Sequence, residues 1–339
     1  MDPIDIKITQ LHKQEFHNLQ ASQLVLEFVG STVNTSLINT LRRLSLDYIP
    51  TYAFASELIQ IEENTSIFNN DYMRLRLSQI TIPKIQIPFA HISDKYWRFI
   101  EYSNPDREKY ENDQKNIEIY LNIVNDSQDI LNVTTNHMQV FEDGNELAEK
   151  FDPKYPHLLV QLRPKESFKF RAQAALGLGK RNNIWAAAAQ SFYSELDNNR
   201  FKLVIESQGQ MDEYEILHKG CQIMKIKLDE IRNIINKNYN LPTIIDQDSL
   251  IIKLQNEDHT IGNILNEFLQ NNKNILFSGL SKPDLLLDEI VIKFVSASNN
   301  PLIPLFETID YIIDIFNEIE KQLIKLGVKF ITYIQKKKK

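Results

Sequence analysis

The chain has 339 residues, 42% of them apolar and 24% charged, which is enough for two or three domains with cores of their own. The net charge of −7 argues against a protein that binds nucleic acid through an overall positive charge. The lone cysteine, Cys221, excludes an internal disulfide and a cysteine-rich zinc site and favours a reducing, intracellular setting.

The first distinctive segment is residues 31–50, which predict a capped amphipathic helix. Two stretches of alternating apolar residues, 4–8 and 24–28, predict a β-hairpin before it. Asn34 and Thr35 can accept hydrogen bonds from the first free backbone N–H groups, and Pro50 ends the helix. Leucines recur at helical spacing and form one apolar stripe. The polar residues that fall off this stripe are Asn39, Arg42, Arg43 and Asp47.

Residues 51–196 predict a β-rich domain inserted into the first half. Short alternating segments are separated by turn signals, and one predicted strand ends at Pro83. The fragment Gly177-Leu178-Gly179-Lys180 lacks the full spacing of a phosphate-binding loop, so it is interpreted as a plain turn. Trp185 with the alanines that follow fits either a core helix or a flat docking face.

The second half repeats the plan of the first. Residues 212–238 predict a long helix, and residues 238–249 predict a link to a second capped helix, 258–270. When Asn39 is aligned with Asn263, the two short helices share their apolar positions. A last amphipathic helix covers residues 305–326.

The repeat predicts an α+β fold in which two similar domains pack on each other as a two-fold dimer does, within one chain. Residues 1–50 and 197–240 form the first domain in this prediction, and residues 245–335 form the second. The apolar residues expected at the shared interface are Leu37, Leu41, Leu44, Ile261, Leu265, Phe268, Ile312, Phe316 and Ile319.

The residues of the two short helices resemble a known family. NTSLINTLRRLSLDYIPTYAF is similar to the first helix of alpha-type subunits of cellular RNA polymerases, and EDHTIGNILNEFLQNNKNILFSGL is similar to their smaller partner in archaea and eukaryotes. Segments 59–64, 73–83 and 177–189 fall where the larger subunit has its own motifs. The chain therefore resembles a fusion of the third and eleventh subunits of RNA polymerase II, an arrangement found in large nucleocytoplasmic DNA viruses.

The resemblance implies ferredoxin-like dimerisation domains and a non-catalytic platform that brings together the two largest polymerase subunits. Small polymerase subunits are expected as further partners. Contact with DNA and RNA is expected only through the complex, and no contact with a membrane is expected. Many larger subunits hold zinc in the inserted domain, but residues 51–196 contain no cysteine, so neither a metal nor another cofactor is expected. The alternative is a stand-alone enzyme or binding protein that shares only the topology, although no catalytic motif is present.

Residues expected to contact the large subunits follow from the same resemblance. Arg42 and Arg43 match the family's Leu-Arg-Arg element, and arginine suits interfaces because its planar fork binds carboxylates bidentately. The other interpretation is two solvated arginines on a polar helix face. The complete predicted set is Asn39, Arg42, Arg43, Lys180, Arg181 and Trp185. The four lysines at the end, 336–339, predict a solvated tail, and the alternative is a nucleic-acid contact.

Overall fold

The computed structural model describes residues 1–16, 21–83, 87, 90–104, 115–147, 151–238, 244–246, 249–284, 286–298 and 300–327. The predicted link 238–249 therefore lies largely outside the described residues, as do the four terminal lysines.

The chain begins with an antiparallel hairpin followed by the first short helix. The elements are β1 (Lys7–Glu15), β2 (Ser22–Val29) and α1 (Thr35–Arg43). The Asn34 side chain accepts a hydrogen bond from the amide of Leu37 and caps α1, as predicted. The helix then widens into one π-helical turn, Leu44–Tyr48, before Pro50 begins an extended segment.

The inserted region is rich in β-structure, as predicted. One sheet has the order β4-β10-β5-β7-β8, and β3-β11 and β6-β9 form separate pairs. The predicted strand before Pro83 is absent, because a helix ends at Ser78 and the next five residues form no ladder. The elements are β3 (Pro50–Ala53), β4 (Ile59–Asn64), α2 (Asn70–Ser78), α3 (Asp94–Phe99), β5 (Ile117–Val124), β6 (Leu131–Thr134), β7 (Gln139–Glu142), β8 (Asn145–Glu146), β9 (Leu158–Leu162), β10 (Ser167–Gln173) and β11 (Ala175–Leu178).

The chain then returns to the first sheet through β12 (Ala188–Asp197) and β13 (Arg200–Ser207), followed by the long helix α4 (Glu213–Asn238). The first sheet has the order β1-β2-β13-β12. A boundary at residue 196 would assign β12 to the insertion, whereas the ladder places this strand in the first half. We therefore propose a boundary near residue 187. The interpretation of Ala186–Ala189 as part of a helix was wrong, because Ala188 and Ala189 begin an edge strand.

The second half has the same element order. It comprises β14 (Ile244–Asp246), β15 (Ser249–Gln255), α5 (His259–Gln270), β16 (Ile275–Ser281), β17 (Glu289–Ser296) and α6 (Leu302–Leu326). Its sheet has the order β14-β15-β17-β16, which corresponds strand for strand to the first sheet. Each half is thus a hairpin, a short helix, a second hairpin and a long helix. Between α5 and α6, the apolar alternation of residues 288–296 predicts one strand, and the structure has two, β16 and β17.

The two halves share one hydrophobic core. Helix α1 packs against α5, and α4 packs against α6, so equivalent helices meet each other. Such contacts between equivalent elements define a two-fold, isologous arrangement. The side chain of Gln322 on α6 also hydrogen-bonds the backbone of Ile6 and Ile8, at and just before the start of β1. One continuous cluster of buried apolar residues includes members of both sheets and all four of these helices.

Candidate functional site: the junction of the two halves

The N-terminus of α5 lies against α1 and its π-helical turn. The buried Thr40 hydroxyl donates a hydrogen bond to the backbone carbonyl of Thr260, at 3.1 Å. Asp258 caps α5 by accepting a hydrogen bond from the amide of Thr260 at 2.8 Å. Its other carboxylate oxygen points toward the first half.

Three side chains of the first half and its insertion converge on that oxygen. The ammonium of Lys180 lies 3.0 Å away, the hydroxyl of Tyr48 3.1 Å, and the guanidinium of Arg43 3.5 Å. Lys180 also donates to the Tyr48 hydroxyl, at 2.9 Å, and Arg43 also pairs with Asp47, at 3.2 Å. We call Arg43, Tyr48, Lys180 and Asp258 the Asp258 cluster; it joins both halves and the insertion at one carboxylate.

The cluster holds Asp258 in its ionised form. Burial alone would raise the pKa of this carboxyl, but the Lys180 charge and the hydrogen bond from the Thr260 amide outweigh burial and lower the pKa well below its usual range. Burial and the neighbouring Asp258 charge raise the pKa of Tyr48, so its hydroxyl remains a hydrogen-bond donor.

A buried ion pair lies beside the cluster. The Lys227 ammonium of α4 is 2.7 Å from the Glu257 carboxylate, and the two side chains are only 2% and 10% exposed. The same ammonium lies 5.4 Å from the centre of the Tyr48 ring, and the Lys180 ammonium lies 4.9 Å from it, so Tyr48 is close to both lysines. Burial raises the pKa of Glu257 although Lys227 opposes the effect. The second Glu257 oxygen finds no hydrogen-bond donor among the described residues.

A second polar contact crosses the α4–α6 interface. The Glu320 carboxylate accepts from the His218 ring at 2.9 Å and from the Lys225 ammonium at 2.5 Å. Burial would raise the pKa of Glu320, but these two hydrogen bonds outweigh it and lower the pKa to about 2. Arg232 and Asp310 form a further ion pair nearer the end of α4.

The apolar residues predicted for the shared interface all belong to the continuous core. They lie on α1, its π-helical turn, α5 and α6, the elements that bring the two halves together. Each is at most 3% exposed; they are Leu37, Leu41, Leu44, Ile261, Leu265, Phe268, Ile312, Phe316 and Ile319.

The predicted partner-contact residues lie in three different environments. Asn39 and Arg42 are half-buried on the outer side of α1 and hydrogen-bond each other, at 3.0 Å. Arg43 and Lys180 instead point into the Asp258 cluster. An outward-facing role for these two is not what the structure shows, because their charges are directed at the other half of the same chain.

The remaining two predicted residues stabilise the insertion. The Arg181 guanidinium donates to the backbone carbonyls of Trp97 and Ile100, both at 2.9 Å, and lies 4.7 Å from the Tyr102 ring centre. Trp185 is buried, stacks on Tyr102 and donates from its indole nitrogen to the backbone of the insertion. A flat docking face at Trp185 is therefore wrong, since little of its ring reaches the surface.

The glycines near Lys180 have a packing explanation. A Cβ on Gly177 would lie 2.5 Å from the Trp185 ring, and one on Gly179 would lie 2.2 Å from the carbonyl oxygen of Leu46. Both positions thus require close approach of the backbone to its neighbours. The prediction of a plain turn was only partly correct, because Gly177 and Leu178 are the last residues of β11 and the turn begins at Gly179.

Sequence reasoning did not identify Tyr48, Lys227, Glu257 and Asp258 as site residues. One usable signal was a lysine at position 227, between the apolar residues Met224, Leu228 and Ile231 of a long amphipathic helix. A lysine on such a face is either extended to solvent or paired. The partner of Lys227, however, is Glu257 in the other repeat, and the sequence alone does not show that these two residues lie close together in space.

Among the described residues, no cluster of histidine, cysteine, aspartate or glutamate has the arrangement to hold a metal ion. Cys221 is buried, and burial raises the pKa of its thiol. None of the described helices is long and apolar enough to cross a membrane.

The chain is similar to known polymerase subunits in both halves. Residues 27–228 and 249–322 each match a family described as the RNA polymerase Rpb3/Rpb11 dimerisation domain. A protein of Acanthamoeba polyphaga mimivirus described as a DNA-directed RNA polymerase subunit is 25% identical over 356 aligned positions, covering 98% of this chain and 95% of that protein. The RNA polymerase II subunit rpb3 of Dictyostelium discoideum is 24% identical over 214 positions, covering 61% of this chain and 64% of that protein.

Proposed function

The chain belongs to the RNA polymerase Rpb3/Rpb11 dimerisation-domain family, and from this premise we propose that it is a non-catalytic assembly platform of a DNA-directed RNA polymerase. In this role it brings together the two largest, catalytic subunits, accepts small subunits, and meets DNA and RNA only through the complex. The mimivirus relative supports a role in viral transcription. If the chain is viral, we propose that it acts in the host cytoplasm, in the viral factory, and is carried in the virion.

The observation that carries the proposal is the single core shared by two equivalent halves. Both short helices and both long helices face each other, so the inner surfaces are already occupied within the chain. The outer faces of the two sheets and the insertion remain for other proteins. A two-fold scaffold with two similar outer faces suits two large partners that are themselves different.

The outer sheet faces carry equivalent exposed phenylalanines. Phe192 on edge strand β12 pairs with Val204 and is 43% exposed; Phe277 on edge strand β16 pairs with Val295 and is 56% exposed. In the ladders, Val204 pairs with Val25, whereas Val295 pairs with Ser249. Val25 precedes Asn39 by the same number of residues as Ser249 precedes Asn263, so the two sites correspond in register.

These two positions are suitable for docking. Both lie on strands at the sheet edge, where the backbone has unpaired hydrogen-bonding groups that another chain can use. Aromatic residues that are exposed in the free protein commonly anchor interfaces. We place one large subunit at each edge, with Asn39 and Arg42 of α1 adding a polar contact to the second-largest subunit.

The test is co-expression of the tagged chain with the two largest polymerase subunits of the same source. Wild-type protein should recover both, Phe192→Ser should lose one of them, and Phe277→Ser should lose the other. Ile303→Ser is the matched control, since Ile303 is an exposed apolar residue (53% exposed) that lies on α6 and not on an edge strand. Recovery of neither large subunit by well-folded wild-type protein, together with turnover of a small substrate, would support the stand-alone enzyme instead.

A further inference from the structure

The two halves are alike in fold but differ in charge at equivalent positions of their junction. With Asn39 aligned to Asn263, the cap Asp258 corresponds to Asn34, Glu257 corresponds to Val33, and Arg43 corresponds to Glu267. A two-fold contact brings each of these positions against the opposite half, so the charge at each one decides which half it can face.

A pair made of two first halves would lose the partner of a buried charge. In the chain, Lys227 meets Glu257. In a first-half pair built on the same two-fold, the position of Glu257 would be occupied by Val33, which is fully buried. The Lys227 ammonium would then be desolvated against an apolar side chain, and Arg43 would face Asn34 instead of a carboxylate.

A pair made of two second halves would bring carboxylates together. In the chain, Asp258 is balanced by Arg43 and Lys180. In a second-half pair, the position of Arg43 would be occupied by Glu267, and no residue of the insertion would supply the Lys180 charge. Like charges placed against each other at an interface disfavour the wrong partner strongly.

We propose that Lys227, Glu257, Asp258 and Glu267 act as partner-selecting residues, which make each half pair with the other kind of half and exclude pairing with its own kind. The apolar core contributes adhesion to any of the three pairings, because its leucine, isoleucine and phenylalanine positions are shared by both repeats. The charges distinguish the pairings, because they are complementary in only one of them. This inference concerns the chain's own halves and does not depend on the polymerase role.

The test separates the two halves and measures which halves pair with each other when they refold. A protease site is inserted between residues 238 and 244 of the full chain, and two preparations with differently tagged second halves are cut after folding. They are mixed, unfolded in urea, refolded by dilution and captured through one tag, and the captured chains are counted by mass spectrometry. For the wild-type sequence, second halves of the other tag should be at most about one-tenth as abundant as first halves.

Glu267→Arg should raise the captured second halves at least about fivefold, because it converts a repulsive contact with Asp258 into an attractive one. Glu267→Gln should give a smaller rise. Glu307→Arg, the same change at an exposed position of α6, should leave the ratio at its wild-type value. A wild-type ratio near the statistical mixture, or no rise for Glu267→Arg in a chain that melts normally before cleavage, overturns the proposal.

A second measurement needs no refolding. In the intact chain, Lys227→Glu and Glu257→Lys should each lower the melting temperature, and the double exchange should recover at least half of the larger loss. An exchange that recovers nothing would overturn the assignment of these two residues as a selecting pair.

Discussion

Removing the Lys227 ammonium tests how strongly the junction depends on its buried ion pair. Lys227→Met keeps the aliphatic stem and leaves Glu257 without its partner. Because both side chains are almost completely buried and the two charges are 2.7 Å apart, solvent screening is small. Breaking a buried pair in this way costs about 3–5 kcal/mol, since a desolvated charge is left uncompensated.

The expected change in melting temperature follows from chain length. An unfolding entropy of about 2.1 cal/mol/K per residue gives about 0.7 kcal/mol/K for 339 residues. A loss of 3–5 kcal/mol therefore lowers the melting temperature by about 4–7 °C. Lys227→Met/Glu257→Leu should recover much of the loss, because replacing a whole buried pair with apolar groups of similar volume is often nearly neutral.

Calorimetry of the intact chain is the assay. Lys321→Met is the matched control, since Lys321 is 64% exposed and its pair with Glu318 lies at the surface, where such pairs contribute about 0–1 kcal/mol. A drop below about 1 °C for Lys227→Met, or a double variant that is no more stable than the single one, would refute the reasoning that this pair is desolvated and coupled.

Four further outcomes are expected. Arg42→Glu should leave the melting temperature unchanged in a thermal scan but weaken recovery of the second-largest subunit. Arg43→Glu should instead lower the melting temperature, because it places a carboxylate beside Asp258. Since the pKa of Glu320 is lowered to about 2 from 4.5, its stabilising effect is fully present above pH 4.5 and is lost as the pH falls toward 2; Glu320→Gln should flatten denaturation midpoints measured across that window. Trp185→Ala should cost about 3–5 kcal/mol in urea titrations, as for other buried aromatic residues. Cleavage of the link between the halves should leave them co-eluting on size exclusion, because the tether raises their effective concentration but adds no contact.

The repeat was predictable because it rests on local signals. Asn34 and Asp258 cap their helices, and the leucines and isoleucines behind them recur at helical spacing. The long helices α4 and α6 were predictable for the same reason. The spacing of apolar residues in an amphipathic helix shows which face is buried. Two similar helices with similar upstream strands were therefore enough to indicate two similar domains.

Strands β12 and β16 were not predictable in this way, because they are edge strands. In β12 only Ala188 and Ser191 are buried, and in β16 exposed Leu276 and Phe277 stand side by side, so neither strand alternates cleanly. The ladder with the neighbouring strand, not an apolar face of its own, fixes each of them. Because β12 lacks a local signal, the predicted end of the insertion, residue 196, falls after this strand and not before it.

The orientation of the charged residues depended on the other repeat. Arg43 is off the apolar stripe of α1, which suggested a surface for another protein, yet its guanidinium reaches Asp258, more than 200 positions later in the chain. Lys180, in the insertion, reaches the same carboxylate. The local sequence pattern shows on which face of a helix a charged side chain lies. The partner of that side chain is known only from the tertiary structure.

The position of these charges also has a consequence for symmetry. In a dimer of identical chains, an isologous contact must be complementary to itself, so a lysine and its carboxylate must both be present on every protomer. When two unequal halves share one chain, the lysine can lie in one half and the carboxylate in the other. Lys227 and Glu257 are arranged in this second way, with a valine at the position equivalent to the carboxylate. The junction therefore has the apolar symmetry of a homodimer and the electrostatic asymmetry of a heterodimer.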